Sequence, residues 1–149
     1  MSAYTKVIVG TDGSESSYRA VERAAVLAAD ASATLVVACA YVPADQRSVS
    51  QVADQMGEDA YQIRGDNPAE DIVRGAKDRA HAAGATEIEV RTVKGAPVES
   101  LISLAEETGA DLLVVGNKGL NSLTGRLLGS VPADAARRAT CDVLIVHTT

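Results

Sequence analysis

Two short segments hold residues whose types and spacing can do chemistry. The longer reads Gly116-Asn117-Lys118-Gly119, and after nine further residues Gly129-Ser130-Val131-Pro132. Glycine lets backbone amides approach a ligand closely, and Gly129-Ser130 stand where a helical pattern begins. Exposed N–H groups, the positive end of a helix dipole and a hydroxyl would converge there, a set suited to an anion. Lys118 and Arg126 lie within the same stretch and can supply countercharge. The shorter segment, Gly10-Thr11-Asp12-Gly13-Ser14, offers one carboxylate, able to accept hydrogen bonds from a ligand or simply to cap the turn in which it stands. Glycines of this kind often do no more than shape turns, so spacing alone leaves binding and turn formation equally open.

Several other chemistries lack their residues. No GxxxxGK[ST] string occurs, nor the dinucleotide pattern GxGxxG, nor a GxSxG nucleophile elbow. A receiver domain needs an acceptor Asp after its third strand, where this chain has Arg91-Thr92-Val93-Lys94. His81 lies in a polar helix pattern beside Asp78 and Arg79, and His147 follows the last apolar run; both read as surface or structural histidines rather than general bases. Cys39 and Cys141 form no CxxC pair and have no His at metal-ligand spacing, so neither a zinc site nor a disulfide framework is indicated. One carboxylate, Asp12, is thin support for a metal site.

The elements that must position these segments alternate regularly. Lys6 to Gly10 is an apolar run ended by turn residues, the pattern of a strand buried on both faces. Ser14 can cap a helix through about Ala29 with Val21, Ala24, Ala25 and Ala28 on one face, and Thr34 to Val42 forms a second strand stopping at Pro43. Pro43 to Asn67 reads as a long connection, with a short helix around Val49 to Met56 as one reading. Asn67, Pro68 and Glu70 open a helix with capping-box character that runs to the Gly84 stop. Glu87 to Val93 alternates like a half-exposed strand at a sheet edge. Pro97 opens a helix carrying Val98, Leu101, Ile102 and Ala105 on one face and closed by Gly109. Asp111 to Gly116 is the clearest strand; a helix from about Val131 to Ala139 and a last strand, Val143 to Val146, complete the chain.

Strands alternating with helices predict one α/β domain spanning residues 1–149, a doubly wound five-stranded parallel sheet with strand order 3-2-1-4-5 and helices on both faces. In such sheets ligands sit beyond the carboxyl ends of the strands at the switch point, here between strands one and four. Both chemical segments fall there.

Composition narrows what that site can hold. Of 149 residues 46% are hydrophobic, with 26 Ala but no Phe or Trp, so the core must be aliphatic and thin. With only 4 Tyr as aromatic side chains, and with a net charge of -6, the chain is a poor match for nucleic acid. No apolar run reaches membrane-spanning length, and no secretory signal pattern opens the chain, so the expectation is a cytoplasmic protein without a membrane partner. Residues 116 to 141 oppose the acidic trend, holding Lys118, Arg126, Arg137 and Arg138 against Asp134 alone.

Gly116-x2-Gly119-x9-Gly129-Ser130, together with Val7-Ile8-Val9-Gly10-Thr11-Asp12-Gly13-Ser14, Gly95-x-Pro97 and Asp111-Leu112-Leu113-Val114-Val115-Gly116, resembles the universal stress protein family over essentially the whole chain. The resemblance implies an adenine nucleotide as cofactor, ATP, AMP or the cyclic AMP bound by an actinobacterial branch, with Mg2+ accompanying ATP. It implies that Asp12 hydrogen-bonds the ribose or adenine region, that Gly10 and Thr11 line the same wall, and that Ala40 and Val115 flank the base. Gly116, Lys118 and Gly119 would wrap sugar and phosphate, while Gly129, Ser130 and Val131 would hold phosphate. Pro132 departs from the Ser or Thr frequent in ATP-binding relatives and removes a donor, favouring a single or cyclic phosphate over a triphosphate. The implied function is a non-enzymatic nucleotide sensor or reservoir in stress response; the alternative is a slow ATPase or self-phosphorylating protein using Ser130. The family also implies a homodimer through the last strand, Val143 to Val146, whose apolar edge invites a second copy.

Overall fold

The computed structural model describes residues 2–41, 68–117 and 130–148. Nine elements are described: β1 (Lys6–Gly10), α1 (Glu15–Ala31), β2 (Thr34–Tyr41), α2 (Pro68–Ala82), β3 (Ile88–Lys94), α3 (Pro97–Thr108), β4 (Leu112–Gly116), α4 (Ser130–Arg138) and β5 (Asp142–Val146). The strands form one sheet in the order β3-β2-β1-β4-β5, and every neighbouring pair is parallel. The expected architecture and strand order are therefore the observed ones. The expected Pro43 to Asn67 connection, its short helix and the Asn67 cap lie outside the described residues.

Side chains of a strand alternate between faces, and that alternation divides the core in two. Val7, Val9, Leu35, Val37, Leu112 and Val114 pack under α1 and α2, with Ala20, Ala24, Ala25, Ala28, Ala76 and Ala80 as the helical side. Ile8, Val36, Ala38, Leu113 and Val115 face the other way, against Val98, Leu101, Leu104 and Ala105 of α3 and Ala135 of α4. Alanine on α1 lets that helix lie close to the β-branched sheet, which is how a chain without Phe or Trp closes its core. Between α1 and α2, Arg79 reaches Glu15 at 2.5 Å and Glu22 at 3.3 Å and lies over the Tyr18 ring, whose hydroxyl donates to the Ile72 carbonyl.

Element ends differ from expectation in small ways with physical reasons. α1 runs two residues past Ala29, because Ser32 adopts the left-handed conformation, φ 54°, and supplies the stop that a glycine normally gives. β3 is shifted by one residue from the expected Glu87 to Val93, although Glu87 still joins the ladder by accepting from Leu35 N–H at 2.8 Å. β3 is half-exposed at one sheet edge as expected, and β5 forms the other with Ile145 44% exposed. At the amino ends of β1 and β4, Asp111 accepts from Thr5 N–H at 2.9 Å, the Thr5 hydroxyl at 3.0 Å and Lys6 N–H at 3.1 Å. Partial burial acts to raise its pKa, but these donors outweigh it and hold the carboxyl below its ordinary value. Asp111 thus pins the end of the sheet opposite the candidate site.

Candidate functional site

The sheet reverses its winding between β1 and β4: β1 leads into α1 on one face, while α4, which follows β4, lies on the other. Their carboxyl ends therefore open a crevice. Its β1 wall is a hydroxyl network. Thr11, 1% exposed, extends the ladder by donating its N–H to Ala38 O at 2.9 Å. The Ser17 hydroxyl donates to Ser14 O at 2.9 Å, so Thr11 must be the donor in the 2.7 Å contact between Thr11 Oγ1 and Ser17 Oγ. Thr11 Oγ1 in turn accepts from Gly13 N–H at 3.1 Å. Gly13 has φ +86°, a conformation that favours glycine, and a Cβ there would also crowd Ile72 Cγ1 at 3.0 Å.

Asp12 does what an Asp before a helix commonly does: its Oδ1 accepts from Ser14 N–H at 2.9 Å, while Ser14 Oγ caps α1 by accepting from Ser17 N–H at 3.1 Å. The carboxylate's second oxygen has no hydrogen-bond partner among the described residues, and the residue is part-exposed. Turn formation and availability to a ligand are thus both satisfied by one side chain. Cys39, late in β2, is 3% exposed; burial, with the Asp12 charge adding to it, pushes its thiol up to about 11, so it is no nucleophile at neutral pH.

The β4 wall ends at Gly116 and Asn117. Gly116 is not in a left-handed conformation. Space there is tight, since a Cβ would stand 3.3 Å from Thr148 Cγ2. Asn117 N–H donates to Val146 O at 2.8 Å, and Asn117 Oδ1 accepts from Thr148 N–H at 2.9 Å and the Thr148 hydroxyl at 2.8 Å. Ser17, Thr148 and the Asn117 side chain do not stand out in the sequence; Ser17 meets Thr11 and Ser14 within six positions, whereas Asn117 and Thr148 are brought together across 31 positions by strand register.

Of the residues singled out in sequence, Gly10, Thr11 and Asp12 stand together at the end of β1, and Val115 and Gly116 at the end of β4. Ala40 is part-exposed near the end of β2. Ala40 and Val115 belong to the same sheet face by register, but Val115 is 0% exposed, covered from that face. Ser130 and Val131 form the first turn of α4, followed by Pro132, where a missing backbone N–H costs the helix nothing and leaves that turn one donor short. Lys118, Gly119, Arg126 and Gly129 lie outside the described residues. The positive surplus of the segment is partly spent locally: Arg137 pairs with Asp134 at 2.6 Å and Arg138 with Glu99 at 3.7 Å, both at the helix end remote from Ser130. Among the described residues no three His, Cys, Asp or Glu side chains gather as metal ligands.

An open doubly wound α/β sheet with a glycine-bounded crevice at its switch point is the class of protein these features define. The universal stress protein family model matches residues 3–147, and the chain belongs to that family. Universal stress protein Rv1636 of Mycobacterium tuberculosis is 55% identical over 149 residues, the full length of both chains. A crystal structure of a universal stress protein in complex with cAMP is similar at TM-score 0.77 and 53% identity, covering 99% of this chain and 100% of that one. The crystal structure of Rv1636 from Mycobacterium tuberculosis H37Rv is similar at TM-score 0.63 and 50% identity, covering 100% and 99%. Among the described residues no helix is long and apolar enough to cross a membrane.

Proposed function

We propose that the protein is a single-domain cytoplasmic sensor or reservoir that binds an adenine nucleotide between the ends of β1 and β4, preferring a cyclic or single phosphate to a triphosphate. The observation that carries this reading is the full-length likeness, at 53% identity, to a protein crystallised with cAMP. The local chemistry supports it. Asp12 keeps one carboxylate oxygen for the ribose or adenine donors, with Gly10 and Thr11 beside it. Ala40 offers an aliphatic surface to the base, backed by Val115. Gly116, Lys118 and Gly119 wrap the sugar and phosphate, and the Gly129-Ser130-Val131 amides receive the phosphate at the positive end of α4. Pro132 in the first turn of α4 removes a donor that an outer phosphate would use, which is the basis of the preference.

Calorimetric titration with cyclic AMP, AMP and ATP, the last with Mg2+, tests the reading directly. Cyclic AMP or AMP should bind at least tenfold more tightly than ATP. Clearly tighter ATP binding would overturn the phosphate preference, and ATP turnover abolished by Ser130→Ala would replace the carrier with a slow enzyme.

The same reading includes a homodimer through Val143 to Val146. β5 leaves one strand edge without a partner among the described residues and exposes Ile145, the arrangement a second copy can extend. Light scattering at micromolar concentration should give twice the 15.4 kDa chain mass. A monomeric mass would reject the dimer.

A further inference from the structure

We infer that Thr148 is a positioning residue for the crevice, holding the β4 wall to the first turn of α1 through a Ser16–Thr148–Asn117 relay. Thr148 is two residues beyond β5 yet only 3% exposed. Asn117 Oδ1 can only accept, so the single proton of the Thr148 hydroxyl goes to it, at 2.8 Å, and the Ser16 hydroxyl must donate to Thr148 Oγ1, at 2.6 Å. The Thr148 N–H reaches the same Asn117 oxygen at 2.9 Å, and the Thr148 carbonyl accepts from Arg19 Nη1 at 2.7 Å. Its methyl would stand 3.3 Å from a Cβ placed on Gly116, the last residue of β4.

The relay matters because of what stands on either side of it. Asn117 is the residue from which the chain leaves β4 towards Lys118 and Gly119. Ser16 is the neighbour of Ser17, whose oxygen accepts from Thr11 at the end of β1. One turn of α1 therefore fixes both walls: β1 through Ser17 and β4 through Ser16. The separation of the walls is set by this pair of hydroxyl bridges as well as by the ladder between β1 and β4, which is registered over Val7 to Val9. A ligand held by both walls gains from having that separation fixed before it arrives. The inference rests on the nucleotide reading above.

Cyclic AMP affinity of the full chain, with Thr148→Val and Thr148→Ser beside the parent, tests it. Valine keeps the methyl packing and the backbone N–H but removes the hydroxyl that links Ser16 to Asn117; serine keeps the hydroxyl. Thr148→Val should raise the Kd for cyclic AMP about five- to tenfold, and Thr148→Ser should stay within about twofold of the parent. If Thr148→Val does not fold, Ser16→Ala, which removes the donor to Thr148, should raise the Kd about threefold or more. A lowered thermal midpoint with unchanged affinity in Thr148→Val, or equal weakening in valine and serine variants, overturns the positioning role while the nucleotide reading stands. A parent chain that binds no cyclic AMP or AMP overturns both.

Discussion

Asp12→Asn is expected to weaken cyclic AMP binding about tenfold while shifting the thermal midpoint by no more than about 2 °C. The substitution separates the two jobs of this side chain. Asparagine keeps an oxygen in the place of Oδ1, which accepts from Ser14 N–H at 2.9 Å, so the turn entering α1 survives. It loses the charge and turns the other oxygen, unused within the described protein, into a donor that faces the ligand's donors unfavourably. Hydrogen bonds to a charged group are worth about 1.5–3 kcal/mol, and tenfold in Kd is about 1.4 kcal/mol, the low end of that range for a part-exposed site. Asp12→Ala should weaken binding comparably but also lower the midpoint, because Ser14 N–H loses its acceptor. Calorimetric Kd values with thermal melts check both; an Asp12→Asn protein that binds cyclic AMP as tightly as the parent would remove Asp12 from the site.

Ile8→Ala should cost about 3 kcal/mol of stability and lower the thermal midpoint by about 6–12 °C. Ile8 stands in the central strand, opposite Val36 of β2 and Leu113 of β4, and is 0% exposed. Its neighbours on that face are anchored in adjacent strands or in α3, so the space left by three lost carbons cannot collapse. Among the described residues, the cluster around Ile8 holds no aromatic side chain that could swing into the gap. Urea unfolding monitored by circular dichroism measures the loss, and a change below about 1 kcal/mol would show a core that repacks more freely than this aliphatic one should.

The elements were legible wherever burial imposes a period. Val-Ile-Val at 7–9 and Leu-Leu-Val-Val at 112–115 are apolar at every position because both faces of those strands are covered, and Glu87 to Val93 alternates because β3 is covered poorly at its edge. The end of α1 was not legible, since a serine in the left-handed conformation ends it, and nothing in Ser32 itself announces that. At the candidate site the glycines and Asp12 stood out as residue types, yet the reason for Gly116 did not. What Gly116 packs against was set by tertiary structure: a Cβ there would stand 3.3 Å from the methyl of Thr148, 32 positions further along.

Sequence by itself determined the doubly wound order of elements, the aliphatic core and the strand ends, those of β1 and β4, that flank the switch point, because each follows from local periodicity, helix caps and the geometry of parallel crossovers. Tertiary structure alone decided which polar groups serve one another. Ser16 meets Thr148 across 132 positions and Asn117 meets it across 31, and Arg138 finds Glu99 on α3, away from the crevice. A hydroxyl or amide has no preferred period and can pair with any donor or acceptor brought within 3 Å. Its partner is therefore fixed only when strand register and helix position are fixed, and those are properties of the folded chain.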